Sequence, residues 1–397
     1  MKKTFKYRIY GNRQTVNNAN NWLELCRKLY NECLQFRIDI YKESKKSISY
    51  YEQTNLLPKI KHEYPEYKQV GSQVLQDVIQ RLDRAYQAFF RRIKNNEKAG
   101  FPRFKSKYRY DSFTFKQAGW KLENKCLTIR NIGRFKIKLS RPVEGIIKTI
   151  TIRRTQSGKW FVCFNCDDVP VRQFPDTNKE VGIDVGIKNF AVDSEGGCIA
   201  NPKYFSQSQK LLRMRQRKLA RRKKGSNRRN KARILVAKVY EKISNQRNDF
   251  LHKLANSYIK DYKTIYIENL AIRNMVHNRY LSKSIMDASW GIFFGYLSYK
   301  AVEADRIVIK VKPQGTSQIC SICGEIVPKT LSIRIHSCPN CGSIMDRDFN
   351  SSLNIKKLGQ SFRDSIPAMA GMSRESLVSS CGGCHEREDS RNSKKNC

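Results

Sequence analysis

The sequence contains no long apolar run and has few acidic residues. A transmembrane helix needs about 20 mostly apolar residues, and no such stretch occurs among the 397 residues. The opening MKKTFKYRIY is charged but lacks the apolar segment of a secretory signal peptide. These absences predict a cytoplasmic protein without membrane partners.

Positive charge dominates because acidic residues are scarce. Lys and Arg total 77 against 35 Asp and Glu, which gives a formal net charge of +42. Such an excess would repel itself in a compact chain unless a polyanion neutralised it. The predicted partner is therefore nucleic acid, bound with salt-sensitive affinity. A membrane surface is a weaker alternative, and no small-molecule substrate is predicted.

The thirteen cysteines do not follow the pattern of a disulfide framework and suit a reducing compartment. Four of them form two Cys-x2-Cys knuckles separated by fourteen residues, namely Cys320, Cys323, Cys338 and Cys341. This spacing is close to that of a tetrahedral site for one structural Zn²⁺. Gly324 and Gly342 follow the knuckles, as expected where the chain turns tightly. The alternative is four reduced cysteines without metal.

Two other cysteine pairs are not predicted to bind metal. Cys163 and Cys166 lie in a predicted strand, where residues three positions apart point to opposite faces of the sheet. Cys381, Cys384 and His385 could form half a metal site, but the sequence offers no second half. They lie in a polar tail, residues 371–397, for which disorder is predicted.

The first half of the chain combines a sheet with an inserted helical unit. Residues 2–10 alternate charged with apolar side chains and predict a strand. An amphipathic helix follows, with a stripe of Trp22, Cys26, Leu29, Cys33, Phe36 and Ile40. A second helix is predicted to start at Ser72 as N-cap, with a buried stripe of Leu75, Ile79, Leu82, Tyr86, Phe89 and Ile93. From residue 101 the pattern predicts hairpins, one turning at Ser157-Gly158, in a small antiparallel sheet or barrel that includes the first strand.

A basic helical pair is predicted in the second half. Thirteen cations and no acid occur from Lys210 to Arg233, in a run broken by Gly225. A solvated helix face could explain part of this charge, but its density favours contacts with phosphates.

Three acids lie on a strand, at the end of a strand and at the start of a helix. Asp184 lies on a buried strand before a Gly turn, Glu268 ends a later strand, and Asp346 and Asp348 open a helix after the last strand. This order, strand, hairpin, helix, strand, helix, is that by which the ribonuclease H-like fold gathers three carboxylates. Such carboxylates can bind two Mg²⁺ ions for phosphodiester cleavage. On spacing alone, either Asp346 or Asp348 could serve.

Four segments together resemble one family. GIDVGIKNF, IENLAI, TSQICSICG and DRDFNSSLNI resemble, in order and spacing, the split RuvC nuclease and zinc ribbon of the TnpB family, transposon-encoded relatives of type V CRISPR effectors. YRIY, LCRKLYNECL, LDRAYQAFFRR and GFPRFKSK in the first half resemble it too. The similarity covers roughly residues 1–360. Ser351 and Ser352 stand where the family usually has two alanines.

The resemblance implies an RNA-guided DNA endonuclease of prokaryotic type. Its cofactors would be two Mg²⁺ ions, one Zn²⁺ and a guide RNA, and its target would be double-stranded DNA beside a short adjacent motif. The implied catalytic metal ligands are Asp184, Glu268 and Asp348, and the zinc falls on the four knuckle cysteines. The single RuvC site would cut both strands in turn.

An α/β multidomain architecture follows from this resemblance. Its implied domains are a wedge β-barrel at 1–10 and 101–178, a helical recognition domain at 11–100, a RuvC domain at 179–313 and 343–370, and a zinc ribbon at 314–342. Polar groups predicted to read the adjacent DNA motif are Ser72, Gln76 and Ser112. Cations predicted to contact nucleic acid are Lys105, Arg221, Arg222, Arg228 and Arg229.

Four other interpretations fit the sequence less well. Sugar kinases and actin-like ATPases share the strand-Asp-x-Gly opening, but they have no use for the charge or the ribbon. A nuclease-inactive repressor typically lacks one of the three acids, all of which are present here. A miniature type V CRISPR effector is poorly separated by sequence, although the length favours TnpB. A DNA-joining transposase could use the same acids, but the DRD segment argues against it.

Overall fold

The computed structural model describes residues 1–172, 174–330 and 332–365. The chain divides into two compact units, one of Met1–Pro170 with Lys218–Lys238, the other of Val171–Arg217 with the residues from Val239. None of the helices in the described ranges has the length and apolar character that a bilayer crossing requires. The predicted disordered tail and the Cys381, Cys384 and His385 motif lie outside the described residues.

The first unit is built on a seven-stranded antiparallel sheet. Its strands are β1 (Lys3–Gly11), β2 (Ser112–Phe115), β3 (Trp120–Glu123), β4 (Cys126–Ile129), β5 (Gly133–Lys138), β6 (Ile146–Arg154) and β7 (Trp160–Asp167). The strand order is β2-β6-β7-β1-β5-β4-β3, so β1 lies at the centre between β7 and β5. The prediction that the first strand joins the later hairpins is confirmed. Gly158, with φ of 87°, makes the predicted turn between β6 and β7.

Helices inserted between β1 and β2 pack on this sheet. They are α1 (Arg13–Ser44), α2 (Tyr50–Asn55), α3 (Leu57–Glu63), a 3₁₀ turn (Pro65–Gln69) and α4 (Ser72–Lys94). Trp22 of α1 contacts Phe113 and Phe115 of β2, with ring centroids 5.7 and 6.0 Å apart. Buried residues of the helices and of the sheet belong to one apolar core. The helical insert therefore does not have a core separate from the sheet.

Two local predictions about α4 are wrong. Ser72 does not cap α4, because Gly71 is the N-cap residue and makes no side-chain hydrogen bond. Ile93, predicted on the buried stripe of this helix, is 49% exposed. The last buried residue of α4 is Leu82, so the apolar period continues beyond the buried part of the helix.

The second unit contains a mixed five-stranded sheet covered on both faces. Its strands are β8 (Glu180–Val185), β9 (Asn189–Asp193), β10 (Cys198–Ala200), β11 (Thr264–Glu268) and β12 (Ile307–Val311), in the order β10-β9-β8-β11-β12. β8 pairs antiparallel with β9 and parallel with β11, which pairs parallel with β12. The helices in chain order are α5 (Tyr204–Ala220), α6 (Asn227–Asp261), α7 (Ile272–Met275), α8 (Ser282–Ala288), α9 (Trp290–Glu303) and α10 (Arg347–Ser365).

Strand β11, which lies between β8 and β12, illustrates this cover on both faces. All five of its residues are buried, as expected of a strand that has a parallel neighbour on each side. Ile265 and Ile267 join the core formed with α6 and α9, whereas Tyr266 packs with Ile355 of α10. The apolar run TIYIE is therefore buried on both faces.

Helix α10 packs against the sheet through small and polar residues. Ser351 and Ser352, the positions noted as unusual in the sequence, are 2% and 0% exposed. A Cβ built on Gly182 of β8 would collide with the backbone of α10, including the Lys356 nitrogen at 2.7 Å. Leu358 of the same helix is 41% exposed. Because the helix and strand backbones approach closely, only small side chains fit between them.

The knuckle segment forms a small unit between β12 and α10. Its elements are the short strands β13 (Ile335–Ser337) and β14 (Ile344–Asp346), paired antiparallel, and a bridge between Ile319 and Ile326. Gly324 and Gly342 have φ of 81° and 72°, so the predicted tight turns after the two knuckles are confirmed.

Candidate metal centres and nucleic-acid surface

The three acids predicted from the sequence come to one edge of the second sheet. Asp184 is the penultimate residue of β8, and Glu268 is the last residue of β11, its parallel neighbour. Asp348 lies in the first turn of α10. A Cβ built on Gly186, two residues after Asp184, would lie 3.8 Å from Asp348 Oδ2. The parallel pairing and the start of α10 thus gather three carboxylates from distant parts of the chain.

The surroundings of Asp184 mark these acids as an acidic centre. Burial, and then the charges of Glu268 and Asp348, raise the pKa of Asp184 well above its ordinary value. Like charges held together in this way disfavour ionisation unless a cation is close. Asp184 is nevertheless only half-buried. The arrangement therefore suits a partly accessible site for a positive ion.

Glu268 is held by a residue that precedes the first knuckle. Burial raises the pKa of this carboxyl, and the Thr316 hydroxyl opposes that effect by donating a hydrogen bond of 2.7 Å to Oε1. Glu268 and Thr316 are 8% and 3% exposed. The hydroxyl fixes the carboxylate and favours its charged form.

Two arginines compensate the charge of Asp348. The Arg347 guanidinium donates to Oδ1 at 3.0 and 3.2 Å, and Arg334 lies 3.7 Å from Oδ2. Arg347 also donates to the Ile333 carbonyl at 3.0 Å. Both arginines therefore connect the segment before β13 with the acidic centre.

The two acids at the start of α10 have different surroundings. Asp346 Oδ1 accepts hydrogen bonds from the backbone nitrogens of Asp348 at 2.8 Å and Phe349 at 3.2 Å. This is the geometry of a helix N-cap. Asp348 instead contacts the arginines and raises the pKa of Asp184. Spacing alone left open whether Asp346 or Asp348 is the metal ligand. The capping role of Asp346 favours Asp348.

The four knuckle thiols lie in the arrangement expected of a zinc site. Their sulfur atoms are all within 4.8 Å of one another, with 3.7 Å between Cys320 and Cys341 and 3.5 Å between Cys323 and Cys338. Tetrahedral Zn²⁺ with Zn–S of about 2.3 Å requires sulfurs about 3.8 Å apart. Burial acts to raise the pKa of Cys320, but backbone N–H groups and the Ser343 hydroxyl lower it to about 5. The cluster can therefore bind zinc.

Two buried asparagines attach the knuckle segment to α10. Asn350, 0% exposed, accepts from the Ser321 nitrogen at 2.8 Å and donates to the Ile319 carbonyl at 2.7 Å. Asn354 donates to the carbonyls of Ile319 at 2.6 Å and Thr316 at 2.9 Å. The first knuckle is therefore hydrogen-bonded to the helix that carries Asp348 and, through Thr316, to Glu268.

Sequence reasoning missed these connecting residues. Thr316, Asn350, Asn354, Arg334 and Arg347 carry no motif of their own. Four of them lay within segments already singled out: Thr316 in TSQICSICG, and Arg347, Asn350 and Asn354 in DRDFNSSLNI. The two asparagines in the helix predicted from the second segment were a signal, because a buried amide requires hydrogen-bond partners.

The groups predicted to read the DNA motif lie in the first unit with differing accessibility. Ser72 is exposed and accepts a hydrogen bond of 2.6 Å from the Lys61 ammonium, and Gln76 is half-buried. Ser112 is engaged by Arg81, which donates to its hydroxyl at 3.2 Å and its carbonyl at 2.8 Å. The structure therefore leaves Ser72 the most accessible of the three.

The predicted phosphate-binding cations differ in the same way. Arg221 and Arg228 are exposed at the tip of the basic pair, whereas Arg222 and Arg229 are half-buried. The Arg229 guanidinium donates to the carbonyls of Leu219 at 3.0 Å and Arg222 at 2.8 Å, so it stabilises the turn between α5 and α6.

The remaining cation in this set, Lys105, is tied to α1. It is half-buried, with its ammonium 5.3 Å from the Tyr30 ring centroid.

The Cys163 and Cys166 pair lies in β7. Cys163 is half-buried and Cys166 is buried, as expected for side chains on opposite faces of the sheet.

Comparison with known proteins identifies relatives along the chain. A family model described as "Probable transposase" (OrfB_IS605) matches residues 162–279. A "Helix-turn-helix domain" of the same family matches residues 1–46, and a "Cas12f1-like, TNB domain" matches residues 290–355. The last match covers the knuckle segment and the start of α10.

Curated relatives extend over most of the chain. A protein of Streptomyces pristinaespiralis is 32% identical over 90% of both chains, and one of Escherichia coli K12 is 29% identical over 90% of this chain and 92% of that one. Both bear the name "Putative RNA-guided DNA endonuclease", the second with the suffix InsQ. The endonuclease Cas12f1 of Sulfoacidibacillus thermotolerans is 30% identical over 51% of each chain.

Proposed function

We infer, for a chain that belongs to the TnpB family, that it is an RNA-guided DNA endonuclease whose second unit cuts DNA by two-metal-ion hydrolysis. The observation that carries this inference is the meeting of Asp184, Glu268 and Asp348 at one edge of the second sheet. The strand order β10-β9-β8-β11-β12, with β10, β9 and β8 antiparallel and β11 and β12 parallel to β8, supports a ribonuclease H-like domain of RuvC type.

The acids would act as ligands of two Mg²⁺ ions. Carboxylate oxygens are the ligands that Mg²⁺ prefers, and Asp184, Glu268 and Asp348 together provide the negative charge such ions require. When bound, the pair of ions would activate water and neutralise the leaving 3′ oxygen. The Thr316 hydroxyl favours the charged form of Glu268, and the α10 cap at Asp346 holds Asp348 in place.

The knuckle cysteines would hold one structural zinc ion. Their sulfur separations fit a tetrahedral site. The hydrogen bonds of Asn350 with Ile319 and Ser321 would fix α10 relative to that site. In this proposal, residues 314–342 form a zinc ribbon that supports the nuclease, which occupies 179–313 and 343–370.

The first unit and the basic pair would bind the nucleic acids. A guide RNA and a target duplex together supply the polyanion that a net charge of +42 calls for. The antiparallel sheet would form the wedge domain, 1–10 and 101–178, and the helices of 11–100 the recognition domain. Ser72, Gln76 and Ser112 stay candidates for reading the adjacent motif, and Lys105, Arg221, Arg222, Arg228 and Arg229 for phosphates.

Expression together with the DNA that flanks the gene tests this function. RNA that co-purifies with the protein is sequenced, and the complex is incubated with Mg²⁺ and plasmids carrying a matched target beside a randomised motif. We expect a discrete RNA and cleavage that Asp184→Ala abolishes while RNA binding persists. Guided binding without cleavage by the unmodified chain would indicate the repressor, and absence of a specific RNA would reject guided cleavage.

A further inference from the structure

We propose that an exposed aromatic shelf on the first unit, formed by Phe89, Phe90 and Phe101, binds unpaired bases of the guide RNA by stacking. This proposal deepens the proposed function and rests on it, because it assigns one surface to the RNA partner. The shelf lies where the C-terminal end of α4 meets the segment that follows it.

The shelf is a continuous set of ring contacts that remains open to solvent. Phe89 lies 5.3 Å from Phe90 and 5.4 Å from Phe101, measured between ring centroids. Tyr86 contacts Phe90 at 6.2 Å and Phe101 at 5.5 Å and connects the set to the core. Phe90 and Phe101 are 54% and 47% exposed. Their outward ring surfaces are therefore available to a planar partner.

The segment that carries Phe101 is fixed in place. Pro102 is buried. Side chains of α1 form hydrogen bonds with both the backbone N–H and the backbone carbonyl of Lys105. Asn31 accepts from the Lys105 nitrogen at 2.7 Å and donates to its carbonyl at 3.0 Å, and Arg27 donates to the same carbonyl at 3.1 Å. A fixed aromatic surface loses little conformational entropy when a base stacks on it.

The charge around the shelf is suited to a polyanion. Between Arg84 and Arg109 the chain has nine Lys and Arg and a single acid, Glu97. Arg91, Arg92 and Arg103, next to the shelf phenylalanines, are exposed. Cations that surround stacking rings are the features with which proteins bind single-stranded nucleic acid.

RNA fits this surface better than the target DNA does. Free duplex DNA keeps its bases paired and stacked, whereas sequence-specific RNA contacts usually involve unpaired bases stacked on aromatic side chains. Exposed rings of this extent also favour association between chains unless a lasting partner covers them. The guide RNA of the proposed function would provide such cover.

Binding of a simple RNA tests the shelf. We compare the full chain, freed of nucleic acid by high salt, with Phe90→Ala/Phe101→Ala, using a fluorescent oligouridylate. We expect the Kd of the double variant to rise about tenfold to a hundredfold, because stacking on aromatic side chains contributes strongly to the binding of each base. Phe362→Ala on α10, a phenylalanine 41% exposed, is the matched control and should bind normally.

Three further measurements decide the interpretation. An abasic ribose-phosphate oligomer should bind the wild type and the double variant equally, and Phe90→Tyr/Phe101→Tyr should restore oligouridylate binding. Unchanged oligouridylate affinity, or an equal loss with the abasic oligomer, would overturn the proposal. A loss confined to oligodeoxythymidylate would assign the shelf to DNA and overturn it too. RNA binding does not require cleavage. If the protein binds RNA through the shelf but does not cleave DNA, the proposed nuclease activity is rejected and the proposed shelf is not.

Discussion

The side chains of Asp346 and Asp348, two residues apart, have different tasks. Asp346 accepts two backbone hydrogen bonds at the start of α10, whereas Asp348 is paired with arginines beside Asp184. Asn caps a helix about as well as Asp does, but it is a poor replacement for a charged metal ligand.

Replacing each of these acids with Asn should separate the two tasks. Asp348→Asn should lower the cleavage rate more than about a hundredfold, because a metal ion contributes several kcal/mol at about 1.4 kcal/mol per tenfold. Asp346→Asn should cleave almost normally, whereas Asp346→Ala should lose about 1 kcal/mol of stability. Plasmid cleavage and thermal melting measure these effects. Equal inactivation by both Asn variants would contradict the assignment.

The hydrogen bond from the Thr316 hydroxyl to Glu268 can be tested separately. Thr316→Val keeps the shape but removes the hydrogen bond to a buried carboxylate, an interaction of about 1.5–3 kcal/mol. We expect the Mg²⁺ concentration for half-maximal cleavage to rise about tenfold, measured by titration with Mg²⁺. Thr316→Ser retains the hydroxyl and should stay close to the wild type. A normal Mg²⁺ requirement for the Val variant would remove Thr316 from the site.

At the scale of elements, the backbones of β8 and α10 approach each other closely. A side chain at Gly182 would meet backbone atoms of the helix, and these cannot move aside as a flexible side chain would. Gly295 in α9 has open space around its Cβ position. These two glycines thus form a matched pair for substitution.

Gly182→Ala should destabilise the second unit by about 3 kcal/mol or more, because the helix must move away from the sheet. Gly295→Ala should be neutral or stabilising by up to about 1 kcal/mol, since Ala favours a helix. Thermal melting and limited proteolysis of the full chain measure both changes. Equal stability of the two variants would show that the strand and the helix are not in close contact.

Loss of zinc from the knuckle segment should disturb α10. Cys323→Ser should reduce the zinc content from about one ion per chain, determined by mass spectrometry of the purified protein. Because Asn350 and Asn354 bind the first knuckle, the variant should also lose cleavage while retaining RNA. Cys198→Ser changes an exposed cysteine outside the cluster and serves as the control. Full cleavage by a zinc-free variant would show that the knuckles do not support the acids.

At the scale of the whole molecule, the basic pair should determine part of the salt dependence. Arg221→Gln/Arg222→Gln/Arg228→Gln removes three cations that are predicted to contact phosphates. We expect the slope of log affinity for RNA against log salt concentration to decrease by about 2, at about 0.7 per contact for single strands. Lys121→Gln is the control, because its ammonium is already 2.6 Å from Glu123. An unchanged slope for the triple variant would mean that the pair does not bind RNA.

The sequence predicted elements and ligand spacing better than it predicted contacts. The order of strands, helices and knuckles followed from patterns among residues close together in the chain. The hydrogen bonds of Thr316, Asn350 and Asn354 join residues far apart in the chain and carry no such pattern. The buried face of α10 also violates the apolar period, because close backbone approach selects serine and glycine there.

Because the third acid lies on α10, the order of synthesis has a consequence for the activity. A growing chain contains Asp184 and Glu268 well before the ribosome adds the knuckles and Asp348. Domains generally fold from the N-terminus as they emerge. In the proposed function, the sheet and helices of the first unit would therefore fold and bind RNA before the acidic centre is complete.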